Sequence, residues 1–319
     1  MDNKEIYKKT LTFSIRRLGW DIMSLVVITL FTAGGVFIAD KMNGNAMLGL
    51  IIGVLVGCIL MAIVSHFVSY IFKAGQIAMM TKGVTEGKLP DDVYAEGKKV
   101  VKERFLTVGA YYFATNAIKG IFNQLGRAIT SIGQAVGGDN GGAIGSAISG
   151  VIQTIVAYLC DCCLGWVFYQ KDRGAVKATM EGAVLFFKHG KTFFKNMGRV
   201  FGISLISFVC IGGVFFGIFY LIATGFPDVF ASLAKELAGS GEASEFFSDP
   251  NNLMLVTAGI GGVILWSILH SVFVRPFILV GVLRNFIESG KGEKITESDF
   301  NELDGKSRKF KKLHETAEA

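Results

Sequence analysis

Apolar and polar positions alternate along this chain in long blocks. Six stretches are apolar over most of their length, at about 18–39, 47–72, 105–125, 143–169, 200–223 and 253–274, and polar segments separate them. A helix of ~20 apolar residues crosses the ~30 Å hydrocarbon core of a bilayer. The pattern therefore predicts an all-α integral membrane domain over residues 1–290, with six transmembrane helices in three hairpins. A charged cytoplasmic tail, 291–319, completes the chain.

The polar segments orient the helices. Residues 171–199 carry seven bases against two acids, whereas 225–252 carry one base against five acids. Positive segments stay on the cytoplasmic side, so spans 4 and 5 point in opposite directions and both termini lie inside. Each inward-running span (2, 4 and 6) ends in a base beside a helix breaker: Lys73-Ala74-Gly75, Arg173-Gly174 and Arg275-Pro276. Each is followed by a short segment closing in Gly-Lys, at Gly87-Lys88, Gly190-Lys191 and Gly290-Lys291. This threefold pattern predicts kinked amphipathic helices lying along the cytoplasmic surface. Leu89-Pro90-Asp91-Asp92 predicts a turn and N-cap into a further surface helix from Val93 to Glu103. Gly49, Gly53 and Gly57, at steps of four, predict a close helix contact on span 2.

Span 3 has two readings. One face is apolar (Phe113, Ala117, Ile121, Leu125); the other is polar (Tyr112, Asn116, Lys119, Asn123, Arg127). Such a helix suits the membrane surface, but a non-crossing span 3 would force the basic segment after span 4 outside, so crossing is favoured. Ionisable groups within a bilayer cost ~2.5–3.5 kcal/mol or more, and each calls for a reason. Asp161 lies ten residues before Lys171, a depth of ~15 Å at 1.5 Å per residue, and shares a face with Tyr158. His66 and His270 give spans 2 and 6 a titratable group as well. Asp161, Lys119, Arg127, Asn116, Asn123, Tyr112, Tyr158, His66 and His270 together outline a polar substrate path. The structural alternative is an ion pair between Asp161 and Lys119 or Arg127, with the histidines reaching for the interface.

Composition agrees with the pattern. Half of the residues are hydrophobic, 18% are charged and the mean hydropathy is +0.48, against about a quarter charged in soluble domains. The net charge of +6 suits anionic headgroups at the cytoplasmic side of the plasma membrane, and the small-residue helix faces suit contact between copies of the chain. A nucleic-acid partner would need a basic, aromatic-bearing soluble face, which the pattern lacks. All five cysteines lie in apolar spans, unlike a secreted disulfide framework. Cys160, Cys162 and Cys163 project in divergent directions from one helix, so neither a metal nor another cofactor is expected. Phosphate-loop, dinucleotide, zinc-protease and Gly-x-Ser-x-Gly patterns are missing from the sequence, and an enzyme is not expected. The basic N-terminus before span 1 lacks a small-x-small cleavage pattern after Leu25–Ala39, so a retained first helix is expected.

Three short motifs remain: Gly145-Ser146-Ala147-Ile148-Ser149-Gly150, Cys160-Asp161-Cys162-Cys163 and Asn196-Met197-Gly198-Arg199-Val200. Through them residues 141–312 resemble, distantly, the final third of the choline transporter-like family of multi-span membrane proteins. The family's Asn-Ala-Tyr and Phe-Cys elements have no counterpart between Tyr169 and Lys188. The resemblance implies solute transport and assigns no substrate residue. Two functions are thus expected in turn: a transporter or channel-like protein moving a small or amphiphilic solute, or a non-transporting membrane module that binds lipid or partner proteins through basic surface helices.

Overall fold

The computed structural model describes residues 1–42, 44–105, 113, 116–121, 141–237 and 244–318. Every described element is helical: α1 (Asn3–Lys41), α2 (Ala46–Glu86), α3 (Val93–Arg104), α4 (Gly141–Tyr169), α5 (Ala175–Ser207), α6 (Gly213–Thr224), α7 (Pro227–Leu237), α8 (Ser244–Phe247), α9 (Pro250–Leu269), α10 (Arg275–Gly290), α11 (Glu297–Lys306) and α12 (Arg308–Glu318). Single π-helical turns, Phe208–Gly212 and His270–Val274, join α5 to α6 and α9 to α10.

Four helices among the described residues are long and apolar enough to cross a membrane: Asn3–Lys41, Ala46–Ser65, Val200–Thr224 and Pro250–Gly290. They coincide with expected spans 1, 2, 5 and 6, and their length and composition are those of a membrane protein. Span 3 falls mostly outside the described residues. In span 4 the described apolar stretch, Val156–Tyr169, is shorter than a crossing requires.

The chain divides into two compact units, Met1–Met197 with Phe277–Ala319, and Gly198–Pro276. In the first, α1 and α2 form a hairpin whose apolar side chains, Ile22 to Ile38 on α1 and Leu48 to Ile63 on α2, are largely exposed, as a lipid-facing surface requires. The glycine stripe of span 2 is the seam of this hairpin. A Cβ on Gly49 would lie 2.4 Å from the Gly35 carbonyl oxygen, and one on Gly53 would lie 2.5 Å from that of Phe31. Trp20 Nε1 donates to Ser65 Oγ at 3.1 Å near one end of the seam.

Beyond Ser65 the character of α2 changes. The helix runs on unbroken to Glu86 and ends at Gly87, whose left-handed φ of 69° closes it. Ala74, Ile77, Met79 and Met80 are fully buried. The expected break at Lys73-Ala74-Gly75 is therefore absent. Gly75 instead admits the Phe13 ring, which would sit 2.6 Å from an added Cβ. The turn after span 4 does break the chain, between α4 and α5. At Arg275-Pro276 the helix continues through its π-turn into α10. The segments after spans 2, 4 and 6 all pack on the C-terminal half of α4. Gly165 lies against Leu283 and Thr81, Gly182 against Cys163, and Gly290 against Trp166 and Leu185. Trp166, 2% exposed, sits at the centre of this helical body.

The remaining helices cover the body. Asp92 caps α3 by accepting from the Ala95 N–H at 2.9 Å, and Val93, Gly97 and Val101 form its buried stripe. Residues 291–319, read as a charged tail, form α11 and α12. Their Phe300, Leu303, Phe310 and Leu313 join Ile121, Met180, Ala183 and Val184 in a shared apolar cluster.

In the second unit α6 and α9 approach through Gly262, whose added Cβ would meet the Gly212 carbonyl oxygen at 3.1 Å, and Gly261, which lies under the Phe219 ring. Gly213 and Gly217 face open space.

Candidate functional site

A cavity of about 590 Å³ in the first unit opens where α2, α3 and the end of α4 meet. Its floor is apolar, from Ala78, Met79, Val100 and Phe168, and its rim is charged. The continuous helix α2 presents Lys82 and Glu86 one turn apart. Lys82 Nζ lies 3.0 Å from Glu96 Oε1 on α3, and Lys171 Nζ lies 3.3 Å from Glu86 Oε1. The Lys82 ammonium, hydrogen-bonded to Glu96, holds that carboxyl below the usual carboxylate range. Arg104 closes the far end, where Nη2 donates to the Gln170 carbonyl at 2.9 Å and ties α3 to the turn after α4.

One lining group stands out energetically. Thr81 is 2% exposed, and among the described residues its hydroxyl has no hydrogen-bond partner. Leaving a buried hydroxyl unsatisfied costs about 1–3 kcal/mol; this one is closed off from the opening and lies against Gly165 of α4. Three bases (Lys82, Arg104, Lys171) and four acids (Glu86, Glu96, Glu103, Asp172) ring the opening, so the lining complements a ligand bearing both charges. Thr81 lies 16 residues beyond Ser65, about 24 Å along the helix past the crossing segment.

Of the nine residues expected to line a path, the side chains of five are described. Asp161 and Tyr158 are buried together on α4, but Asp161 pairs with Lys73, Nζ to Oδ1 at 2.7 Å, and not with Lys119. Lys119 and Asn116 are exposed. His270 belongs to the second unit, where its Nε2 lies 3.1 Å from Ser204 Oγ. Tyr112, Asn123 and Arg127 lie outside the described residues, as does the side chain of His66.

The Lys73–Asp161 contact also fixes a register. Lys73 is level with Asp161 and Glu86 with Lys171, so α4 runs parallel to the second half of α2. Asp161 is thus level with the residue that ends expected span 2.

Two arrangements have only faint signals in the sequence. Glu181 is 1% exposed and is held by Arg173 and by Trp166 Nε1, 3.4 Å from Oε2. Its signal is an acid at the apolar-face spacing of α5, among Ala178, Met180 and Val184. In the second unit Trp266 Nε1 donates to Ser207 Oγ at 3.1 Å, one turn from the His270–Ser204 contact. Both pairs adjoin the two π-turns, a feature that frequently marks functional sites. Among the described residues no group of acids, cysteines and histidines is placed to hold a metal. No family model matches the chain, and neither does any curated protein or solved structure.

Proposed function

We propose that this chain is a multi-pass membrane protein that binds a small zwitterionic solute in the groove between α2, α3 and the end of α4. The observation that carries the reading is the ring of three bases and four acids around a 590 Å³ cavity with an apolar floor. The rim supplies ammonium, guanidinium and carboxylate partners for opposite charges on one solute.

The six-span topology is part of the proposal. The parallel register of α4 with α2 supports a crossing by the first part of α4, because its twenty residues before Asp161 cover about 30 Å. With span 3 also crossing, the basic segment stays on the same side as the termini, which the positive-inside rule makes cytoplasmic. The helical body with its groove then lies at the cytoplasmic face.

The test is thermal unfolding of the protein in lipid nanodiscs with neutral amino acids and dipeptides as probes. Saturation at 100 times Kd stabilises by ~2.7 kcal/mol, a measurable rise in Tm. At least one probe should raise Tm, and Glu96→Gln or Lys82→Gln should reduce the rise while leaving the unliganded Tm within a few degrees. A panel that leaves Tm unchanged at millimolar concentration overturns the proposal.

Transport is the second reading, favoured by one observation: two π-turns in the second unit flank the His270–Ser204 and Trp266–Ser207 contacts inside apolar spans. Hydrogen-bonded polar pairs also serve as glue between helices in lipid. Solute uptake by proteoliposomes that is lost in His270→Gln, with the fold retained, supports a path; no uptake above protein-free liposomes refutes it.

A further inference from the structure

We infer that His314 is a proton-dependent clasp that holds α12 onto α11. His314 lies on α12, 7% exposed, with both ring nitrogens against carboxylates of α11: Nδ1 is 2.8 Å from Asp304 Oδ2, and Nε2 is 2.9 Å from Glu297 Oε1. Phe300 and Phe310 flank the ring at 5.4 and 6.3 Å between centroids. The imidazole is thus walled by apolar rings on its faces and by acids at its edges.

Only an imidazolium carries a hydrogen on both nitrogens. The neutral ring has one donor for two carboxylates and sets a lone pair against the other; the Asp304 side chain is 19% exposed and Glu297 64%, so the loss is greatest on the Asp304 side. Asp304 amplifies the effect because its Oδ1 is buried with no hydrogen-bond partner among the described residues. Histidine changes charge between pH 5 and 8 under ordinary conditions. The proton-dependent share of docking is accordingly complete at acidic pH and is lost as the ring deprotonates.

Other charges near the clasp do not substitute for it. On α5, Lys188 is engaged by Glu293 and Asp299, Glu181 by Arg173, and Lys177 is exposed. Lys119, on the segment that carries Ile121, is exposed. On α12 itself Arg308, Lys311, Lys312 and Glu315 are exposed, and the Lys309 side chain lies against Gly120. Release of α12 uncovers an amphipathic basic helix, and the apolar cluster beneath it.

The experiment is limited trypsin digestion of the whole protein in nanodiscs between pH 6 and 8.5, monitoring cleavage at Lys311 and Lys312 and normalising to cleavage of an unfolded reference substrate at each pH. Cleavage of the native protein should rise at least ~10-fold across the range, one proton's worth of docking energy. His314→Gln, which supplies one donor, should be cleaved readily at every pH. Glu297→Gln/Asp304→Asn should flatten the profile without promoting cleavage at high pH, because a neutral ring then meets neutral partners. A normalised rate in the native protein that does not change with pH overturns the inference. So does a His314→Gln profile that matches the native one. Hydrogen exchange at Phe310 and Leu313 in the same samples reports docking directly, and separates release of α12 from global unfolding of α5 and α10.

Discussion

Neutralising the two partners of the Lys73–Asp161 pair should destabilise the protein unequally. The charges are 2.7 Å apart at their closest atoms, but Asp161 keeps 3% of its side-chain exposure and Lys73 keeps 33%. Two unit charges 4 Å apart attract by about 4 kcal/mol at an effective dielectric near 20. Lys73→Met removes the close cation from a carboxylate that keeps only 3% of its side-chain exposure, and breaking a buried pair by removing one partner costs up to about 3–5 kcal/mol. Protonation of Asp161 limits the loss and raises its pH dependence. Asp161→Asn leaves a lysine whose flexible stem carries the ammonium to solvent. Its cost is then nearer that of one charged hydrogen bond, about 1.5–3 kcal/mol. Lys73→Met/Asp161→Leu removes both charges and should recover most of the Lys73→Met loss, since an apolar replacement of a buried pair is often neutral. Thermal unfolding of the three variants in one detergent measures all of this. An Asp161→Asn protein as unstable as Lys73→Met, or a double variant no better than Lys73→Met, would refute the exposure-based asymmetry.

Three further outcomes are expected. Gly53→Ala should cost about 1–3 kcal/mol by forcing the α1–α2 seam apart, because the new Cβ falls 2.5 Å from Phe31 O and 2.8 Å from Thr32 Cα; Gly34→Ala, with nothing within 4 Å, is the neutral control in the same melts. In a cysteine-free background, Ser232→Cys and Gly305→Cys, both at exposed positions, should react with impermeant reagents from opposite sides of the membrane, and same-side labelling contradicts the proposed topology. The backbone N–H of Thr296, at 2.7 Å, and the Lys188 ammonium hold Asp299 below the usual carboxylate range. Its contribution is therefore present above pH ~4 and lost as pH falls through the lowered value, so Asp299→Asn should cost about 1 kcal/mol at pH 7 and less at pH 3, read from denaturation at the two pH values.

The apolar blocks alone mark the four helices long and apolar enough to cross a membrane, at spans 1, 2, 5 and 6. Their length and continuity leave a helix little alternative in lipid. The Gly49-Gly53-Gly57 stripe announces a close contact, and Asp92 announces the start of α3, because both signals depend on neighbours within a turn or two. The course of the chain after Lys73, Arg173 and Arg275 is not legible in this way. A base beside glycine or proline breaks a helix only if the backbone gains by breaking, and Gly75 gains more by admitting Phe13. Burial of the three segments depends on a partner, the Cys163-Gly165-Trp166 surface of α4, that lies elsewhere in the chain. Asp161 is recognisable as an acid needing a cation, yet Lys73, 88 residues away, is chosen by the parallel packing of α4 on α2. The groove and the His314 clasp belong to the same class. Their members, Lys82 with Glu96 and His314 with Glu297 and Asp304, read along the sequence as ordinary surface charges, and only packing turns them toward one another and away from water.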